Sequence, residues 1–271
     1  MSVAGPWTLG PLLYEHGDHK LYSVDDKPWV IKWKETSEEA IDELRIVLLF
    51  VRAKQPLRNA VILPKTPHQL FGVTETAVWY AMWRYDGVVE RNDFCRAHWR
   101  TLAINALNFL RDLHRGFRMV HMDIKRTNIF INRRAVSFHV GDYELVDTVF
   151  EKMTRNYPDD VKWYYYAFGA EPNEALYSWR MDLTALGYIL ADLTWSPDNS
   201  PWTFQEECYS RREGNSLSSL TDEEVLKLRS TEMEGMNATV KHYFHRLQWL
   251  IWNNPIPPPD SFYDELVALF Q

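Results

Sequence analysis

The chain has 271 residues and a formal net charge of −7, and 46% of its residues are hydrophobic. A chain of this length can bury a sizeable core without crosslinks, its composition excludes global disorder, and its charge argues against a chain-wide nucleic-acid-binding surface. Two cysteines, Cys95 and Cys208, make neither a disulfide framework nor a metal-ligand motif, which favours a reducing, intracellular compartment.

Residues 1–82 have the pattern of a small sheet with one helix. Gly17 and Asp18 predict the turn of a hairpin, because both residue types are turn formers. Thr36, followed three residues later by Glu39, predicts a capping box at the start of the helix. In chain order, the predicted elements are a hairpin at 7–24, a strand at 28–34, a helix at 36–53 and a strand at 76–85 that ends at Asp86 and Gly87.

From about residue 94 the spacing of apolar residues becomes helical. Residues 94–117 predict one long amphipathic helix that ends at Gly116. The later predicted elements are strands at 128–132 and 137–143, with a turn at Arg133 and Arg134, and helices at 181–195, 221–230, 236–252 and 261–270. A strand-rich part before a larger helical part predicts an α+β protein of two lobes, divided near residues 83–87.

Residues 120–130 read "VHMDIKRTNIF" and place three chemically useful side chains between apolar ends. Phosphoryl transfer needs phosphates and Mg²⁺ in place, and a carboxylate that orients the attacking hydroxyl. In this segment Asp123 offers that carboxylate and Lys125 a charge for the transferring phosphate. Asn128 offers an amide oxygen, a ligand type that Mg²⁺ prefers. The alternative is a solvent-exposed charged turn without chemistry.

Two further positions fit the same chemistry. Asp142 ends an apolar strand 14 positions after Asn128, where a second metal ligand is expected. Lys32 lies within the apolar strand "WVIKWK", and burying an unpaired ammonium is costly. The next helix offers Glu39 and Glu43, one turn apart, and the sequence leaves open which of them pairs with Lys32. The alternative for Lys32 is an edge strand with its ammonium in water.

Together these residues resemble the protein kinase superfamily, most closely the branch of the vaccinia-related kinases and casein kinase I, including viral members. The similar motifs are the strand "WVIKWK", the catalytic loop "HMDIKRTN", the metal-binding segment "GDYEL", the hinge "YAMWRYDG" and the helix "SWRMDLTALGYILADLTWSPDNSPW". The resemblance implies a bilobal protein-kinase-like fold with a small antiparallel-sheet N-lobe, one N-lobe helix and a larger, mostly helical C-lobe. It implies a single domain over residues 1–271, with an N-lobe at 1–82, a hinge at 83–87 and a C-lobe at 88–271.

The resemblance also implies cofactors and site residues. The implied cofactors are ATP and Mg²⁺, with Asn128 and Asp142 as metal ligands. The implied catalytic residues are Asp123, Lys125, Lys32 and Glu43. The residues implied to bind ATP are Lys32, Met82 as the gatekeeper, Trp83, Tyr85 and Gly17. Asp182 is implied to brace the catalytic loop from below.

Three departures from the family pattern bear on activity. The phosphate-binding lid of the family is a G-x-G-x-x-G hairpin, and its glycine positions carry Tyr14, His16 and His19 here, with only Gly17 between them. Glu144 replaces the glycine of the DFG segment and adds a carboxylate beside the metal site. Met122 replaces the arginine of the catalytic loop, so phosphorylation of an activation loop is not expected to be the switch.

Two functions are consistent with the motifs that are retained and with these departures. The first is an active serine/threonine protein kinase that uses ATP with a degenerate lid. The second is a pseudokinase that acts as a binding, scaffolding or regulatory module. A small-molecule kinase is a weaker third alternative, because such enzymes usually lack a lysine at the position of Lys125. A further hypothesis is that His16, His19 or Lys20 supply charge where the glycine amides are missing.

Residues 111–134 contain seven basic and two acidic residues in a chain that is negative overall. They predict either solvent-exposed faces or a basic rim that prefers acidic or nucleoprotein-associated protein substrates, without sequence-specific nucleic-acid binding. The aromatic stretch at 161–168 predicts core packing or a peptide groove. We expect no secretory signal and no membrane span, and a cytoplasmic or nuclear location, in a host cell if the protein is viral.

Overall fold

A computed structural model describes residues 3–25, 27–148, 179–194, 236–247 and 256–271. The aromatic stretch at 161–168, the predicted helix at 221–230 and Cys208 lie outside these residues, as do residues 248–252 of a further predicted helix. Within the described residues the chain forms a sheet-rich small lobe followed by a mainly helical large lobe, as the sequence predicts.

The small lobe is built on one antiparallel sheet. Its strands are β1 (Val3–Ala4), β2 (Trp7–His16), β3 (His19–Val24), β4 (Trp29–Glu35), β5 (Phe71–Val73) and β6 (Ala77–Trp83), in the order β1-β2-β3-β4-β6-β5. The β2–β3 hairpin turns at Gly17, whose φ of 59° is left-handed and suits glycine. This hairpin is confirmed, whereas β6 ends at Trp83, before the predicted end at Asp86 and Gly87.

Helix α1 (Glu38–Arg52) crosses the inner face of this sheet, and its start corrects one prediction. The N-cap is Ser37, whose Oγ accepts a hydrogen bond of 3.1 Å from the Ala40 N–H. The Thr36 hydroxyl instead donates to the Thr74 carbonyl oxygen at 3.3 Å. The predicted capping box of Thr36 and Glu39 is therefore wrong, because the Thr36 hydroxyl bonds to the segment between β5 and β6 and not to the first turn of α1.

Strand β4 separates two apolar layers. Ile31 faces outward into a cluster with Trp7, Val24, Trp79 and Ala81 on the solvent side of the sheet. The alternate positions face inward, toward α1 and the large lobe, because successive side chains on a strand point to opposite faces. Lys32 and Lys34 lie on this inner face, and both are buried. The inner face is the one that meets the candidate site.

The helical region after the hinge contains a break that the sequence did not predict. Helix α3 (Asp93–Ala97) ends at His98, whose φ of −112° and ψ of 20° are not helical. Helix α4 (Trp99–Arg111) then continues as a wider π-helical turn at Asp112–Phe117, which ends at Arg118 in the left-handed conformation. The single helix predicted over 94–117 is therefore wrong, and the chain reverses at Arg118 rather than at Gly116.

The remaining elements lie before α3 and after the π-helical turn. Before α3 the chain forms the short helix α2 (Pro67–Leu70) and strand β7 (Gly87–Val88). After the π-helical turn it forms four short strands, which are β8 (Met119–Val120), β9 (Ile129–Asn132), β10 (Ser137–Val140) and β11 (Asp147–Thr148). They are followed by α5 (Trp179–Thr194), α6 (Ala238–Leu247) and α7 (Asp260–Ala268). The predicted β9–β10 hairpin is confirmed, and one apolar core extends from α1 through α4 to α5 and α7.

Candidate active site

Lys32 joins the two lobes at the base of the cleft between them. Its Nζ lies 2.7 Å from Glu43 Oε1 on α1 and 2.6 Å from Asp142 Oδ1 in the segment after β10. The Tyr80 hydroxyl donates to the same Glu43 oxygen at 2.9 Å. Of the two glutamates that the sequence left open, the one in contact with Lys32 is Glu43. Glu43 is 1% exposed, so its carboxylate is stabilised mainly by these partners.

The ionisation of this cluster follows from burial and pairing. Burial alone lowers the pKa of Lys32, but the carboxylates of Glu43 and Asp142 outweigh it and raise that pKa well above its usual value. Burial likewise raises the pKa of Asp142, but the charge and hydrogen bond of Lys32 overcome it and lower the pKa to about 2. Lys32 and Asp142 are therefore both charged at neutral pH.

The predicted catalytic loop brings Asp123, Lys125 and Asn128 into contact. Lys125 Nζ lies 2.7 Å from Asp123 Oδ2, and Asn128 Nδ2 donates to the same oxygen at 2.8 Å and to the Asp123 carbonyl at 3.0 Å. Because its amide nitrogen is used in this way, the ligand atom that Asn128 can offer to a metal is its oxygen. Asn128 is buried, whereas the Asp123 side chain is 19% exposed and accessible from the cleft.

Asp182 of α5 supports this loop from below, as the resemblance implies. Its carboxylate accepts hydrogen bonds from the backbone N–H groups of His121 at 2.6 Å and Met122 at 2.9 Å. His114 bridges the same carboxylate, at 2.9 Å, to the Tyr263 hydroxyl, at 2.6 Å. Met122 is buried at a left-handed φ of 66°, so the loop has a strained backbone that these buried bonds maintain.

Gly141 brings the Asp142 segment against the catalytic loop. Its N–H donates to the Asn128 carbonyl at 3.0 Å, and its carbonyl lies 3.2 Å from His121 Nε2. A Cβ at this position would lie 2.5 Å from Val61 Cγ1, so only glycine permits the approach. Asp142 follows at a left-handed φ of 63°. The two predicted metal-ligating residues, Asn128 and Asp142, are thus carried by backbone segments that are directly hydrogen-bonded.

Tyr143 connects the two lobes beside the site. Its ring packs on Phe50 of α1 with a centroid separation of 5.0 Å and lies parallel to Phe109 of α4 at 6.4 Å. Its hydroxyl donates to the Val140 carbonyl at 2.8 Å and accepts from the Val61 N–H at 3.2 Å. This packing keeps Asp142 turned toward Lys32, because Tyr143 occupies the core on the other side of the segment.

Lys34 and Glu144 form a second set of charges that sequence reasoning did not connect. Lys34 Nζ lies 3.2 Å from Glu144 Oε1 and 3.6 Å from Glu43 Oε2. Glu144 Oε2 lies 3.6 Å from His19 Nε2, and Asp18 Oδ1 lies 3.2 Å from the same nitrogen. The sequence signal was the second lysine in "WVIKWK", two residues after Lys32 and therefore on the same face of the strand.

The lid hairpin differs from the rest of the site in its exposure. Tyr14 is 53% exposed, and Gly17 has no atoms within 4 Å of the position a Cβ would take. Lys20 Nζ pairs with Glu15 at 3.1 Å across the hairpin, and this pair raises the Lys20 pKa. Of the three residues hypothesised to supply charge, His19 contacts Glu144 and Lys20 contacts Glu15. The side chain of His16 lies outside the described structure.

The residues of the predicted hinge lie at the end of β6 and just after it. Met82 is buried and pairs with Val30 of β4. Trp83 donates its backbone N–H to the Ile62 carbonyl at 2.8 Å and packs edge-on against Trp29. The Tyr85 hydroxyl accepts from the Ile62 N–H at 2.8 Å. These contacts secure the Trp83 and Tyr85 side chains on neighbouring segments, so contact with an adenine at this hinge would come from its backbone.

The residues at the base of the cleft fit a divalent metal ion. The donor set consists of an amide oxygen on Asn128 and a carboxylate on Asp142 that is ionised well below neutral pH, and hard oxygen ligands of this kind suit Mg²⁺. Among the described residues, Glu43, Asp142 and Glu144 also have carboxylate oxygens within 4.8 Å of one another. Lys32 and Lys34 offset the negative charge of this group.

Most of the basic residues between 111 and 134 already have acidic partners. The pairs are Arg111 with Asp264 at 2.6 Å, Arg115 with Asp260 at 3.6 Å, Lys125 with Asp123 at 2.7 Å and Arg126 with Asp192 at 3.0 Å. Arg111 and Arg115 contact α7, the last helix of the large lobe. These contacts favour local pairing over a continuous basic rim around the cleft.

Comparison with solved structures identifies the fold. Vaccinia related kinase 3 matches with a TM-score of 0.62 at 15% identity, over 97% of this chain and 85% of that chain. The kinase PK-1 of the Cydia pomonella granulovirus matches with a TM-score of 0.57 at 17% identity, over 96% of this chain and 92% of that chain. By sequence, the chain matches no family model and no curated protein.

In the part of the chain that the structure describes, no helix is long and apolar enough to cross a membrane. The sheet-rich small lobe, the helical large lobe and the two structural neighbours agree with the fold that the sequence motifs predict. The chain has the bilobal α+β fold of the protein kinases.

Proposed function

We propose that this chain binds ATP with Mg²⁺ and transfers the γ-phosphoryl group to a serine or threonine hydroxyl of a protein. The observation that carries the proposal is the position of Lys32, which lies 2.7 Å from Glu43 and 2.6 Å from Asp142. An ion pair of this kind joins the two lobes only when α1 and the Asp142 segment face the same cleft. For activity, protein kinases require a lysine–glutamate ion pair of the kind that Lys32 and Glu43 form, together with a metal-binding aspartate at the same cleft.

Each residue of the cluster has a proposed role. Lys32 binds the α- and β-phosphates, and Glu43 positions it. Asn128 and Asp142 bind Mg²⁺ through oxygen atoms, and the metal when bound neutralises the charge of the phosphates. Lys125, with its ammonium 2.7 Å from Asp123, stabilises the transferring phosphoryl group. The backbone of the hinge from Met82 to Gly87, including Trp83 and Tyr85, binds the adenine, and Gly17 lies in the lid above it.

Asp123 orients the hydroxyl of the acceptor. The hydroxyl oxygen forms a bond to the γ-phosphorus while the bond from that phosphorus to the bridging oxygen of ADP breaks. The proton of the hydroxyl passes to the Asp123 carboxylate. Asn128 and Lys125 both contact Asp123 Oδ2, so the other carboxylate oxygen is the one directed to the acceptor.

Radiolabel transfer tests this proposal directly. The wild-type protein with Mg²⁺ and γ-labelled ATP is expected to label casein or histone. Asp123→Asn is expected to reduce the rate by about 10²- to 10⁴-fold, the usual contribution of a positioned general base. Arg45→Met, in the exposed pair with Asp42 on α1, is the control and is expected to keep most of the activity. Absence of label with both substrates, from protein that is stabilised by Mg²⁺-ATP, would argue against the transfer reaction.

A second candidate function is a pseudokinase that binds partners without phosphoryl transfer. The observation that favours it is the lid, which has side chains at Tyr14, His16 and His19 where backbone amides normally approach the phosphates. The contact of Glu144 with Lys34 and His19 in the same region adds a carboxylate near the phosphates. A folded protein that shows neither a thermal shift with Mg²⁺-ATP nor label transfer would support this alternative.

A further inference from the structure

Lys34 is a buried ammonium that the proposed roles leave without a function. It is 3% exposed, lies two positions after Lys32 on β4 and therefore faces the same cleft. Its Nζ has no hydrogen-bond partner of good geometry among the described residues. A charge buried in this way costs free energy unless it is paired and hydrogen-bonded. Lys34 therefore needs an explanation beyond packing.

The nearest groups to Lys34 are carboxylates rather than hydrogen-bonded partners. Glu144 Oε1 lies 3.2 Å away and Glu43 Oε2 lies 3.6 Å away, and the Glu43 oxygen also has no hydrogen-bond partner among the described residues. Lys34 is therefore attracted by charge but lacks directed bonds. An ammonium in this condition can exchange one anion for another at low cost.

The position of Lys34 is suited to the terminal phosphates of a nucleotide. In the sheet, Lys34 lies directly opposite His19, the residue that begins β3 just after the lid turn, whereas Lys32 lies opposite Leu21. Lys34 is thus nearer to the lid turn than Lys32 is. Glu144 reaches the same place from the large lobe and lies 3.6 Å from His19. Three segments of the chain meet here around the Glu144 carboxylate, and Asp18 also lies 3.2 Å from His19.

We propose that Lys34 is a second phosphate-binding residue of the nucleotide site, and that Glu144 is an internal anion whose place the phosphates take. This inference rests on the proposed ATP binding and adds a residue to it. In the kinase pattern, backbone amides of the glycine-rich lid contact the phosphates. Here the lid carries side chains at those positions, and the Lys34 ammonium supplies the positive charge from the floor of the cleft instead.

Affinity for ATP and for adenosine, measured by calorimetry, tests the role of Lys34. Lys34→Met removes the charge and keeps the length of the side chain. It is expected to weaken ATP binding about tenfold or more, as the loss of one charged hydrogen bond does, and to leave adenosine binding unchanged. Lys34→Arg is expected to keep most of the affinity for ATP. Equal affinity for ATP in the wild type and Lys34→Met would overturn the proposal.

Glu144→Gln tests the internal anion with little change of shape. It is expected to strengthen ATP binding severalfold, both with and without Mg²⁺, because it removes the competing charge. The matched control is Glu265→Gln, an exposed glutamate of α7 that pairs with Arg246 of α6, and it is expected to leave affinity unchanged. If Glu144→Gln instead weakens ATP binding only in the presence of Mg²⁺, Glu144 is a metal ligand and the inference is wrong.

Lys32→Met separates this inference from the proposed function. Loss of ATP binding in Lys32→Met but not in Lys34→Met would keep the proposed function and reject the inference. If wild type does not bind ATP and Glu144→Gln does, the internal anion is supported. If neither binds ATP, both proposals fail. If Lys34→Met does not fold, the affinities of Lys34→Arg and Glu144→Gln for ATP test the inference instead. An unchanged affinity for ATP in Glu144→Gln rejects it.

Discussion

The catalytic loop and the lid hairpin sit on opposite sides of one cleft and are built in opposite ways. The backbone of the loop is bound by a buried polar group: Asp182 of α5 is 2% exposed and accepts hydrogen bonds from the His121 and Met122 N–H groups. In the lid, Tyr14 is 53% exposed and Lys20 pairs with Glu15 at the surface. The loop keeps the pattern of the kinases, and the lid departs from it.

This difference shows where sequence change is tolerated in the molecule. A buried polar group that loses a partner costs free energy, so the loop cannot change one residue without disturbing its neighbours. An exposed hairpin loses little when a glycine is replaced at an ordinary backbone conformation, because the new side chain extends into water. The lid can therefore carry side chains at these positions without loss of the fold.

The largest effect is expected from Asp182→Ala. The substitution leaves the buried His121 and Met122 amides and His114 without their acceptor. At about 1–3 kcal/mol for each unsatisfied group, we expect the free energy of unfolding to fall by roughly 4 kcal/mol. Urea denaturation measures it. Glu15→Ala in the lid is the comparison and is expected to leave the midpoint unchanged. Equal losses from both variants would contradict the contrast between the regions.

Lys32→Met is expected to have the next largest effect on stability. It leaves the buried Glu43 carboxylate without its cation, and breaking a buried pair in this way costs about 3 kcal/mol. Lys34, at 3.6 Å from Glu43, limits the loss. Chemical denaturation of Lys32→Met beside Lys20→Met measures the difference between the two lysines. A destabilisation by Lys20→Met as large as that by Lys32→Met would show that burial is not the cause.

The acid stability of the protein is expected to depend on Asp142. Its pKa is about 2 in the folded protein, below the ordinary value of 3.8. A lowered pKa stabilises the fold at pH values above the unfolded pKa, and this stabilisation is lost as pH falls from about 4 to 2. The shift corresponds to about 2 kcal/mol. Denaturation curves between pH 2 and 6 measure this pH-dependent stability. The free energy of unfolding of Asp142→Asn is expected to vary less with pH in this range than that of the wild type.

Two glycines give the smallest and most closely matched comparison. Gly141→Ala places a Cβ 2.5 Å from Val61 and 2.9 Å from Phe130, and this overpacking is expected to cost about 2 kcal/mol. Gly17→Ala, in the lid, meets no atoms within 4 Å but takes a φ of 59°, which is expected to cost about 1 kcal/mol. Thermal unfolding of both variants gives the order. The reverse order would mean that backbone strain at the lid turn costs more than overpacking beside Asp142.

Local patterns account for the parts of the fold that the sequence predicts well. The β2–β3 hairpin, the β9–β10 hairpin and α5 depend on turn residues and on spacing within short segments. The errors arose where a distant segment intervened. Thr36 lost its capping role because its hydroxyl bonds to the Thr74 carbonyl. The helix predicted at 94–117 is divided at His98, and the Phe94 ring just before this break packs against the distant Phe138 of β10.

The residue types of the site can be read from the sequence, because the spacing of Asp123, Lys125 and Asn128 is local to one loop. Which carboxylates surround which lysines depends on how the two lobes pack together. Asp142 and Lys32 lie 110 positions apart and meet only when the two lobes pack together. The contact of Lys34 with Glu144 has the same origin. Charge pairs of this kind depend on distance in space, and periodicity along the chain carries no information about it.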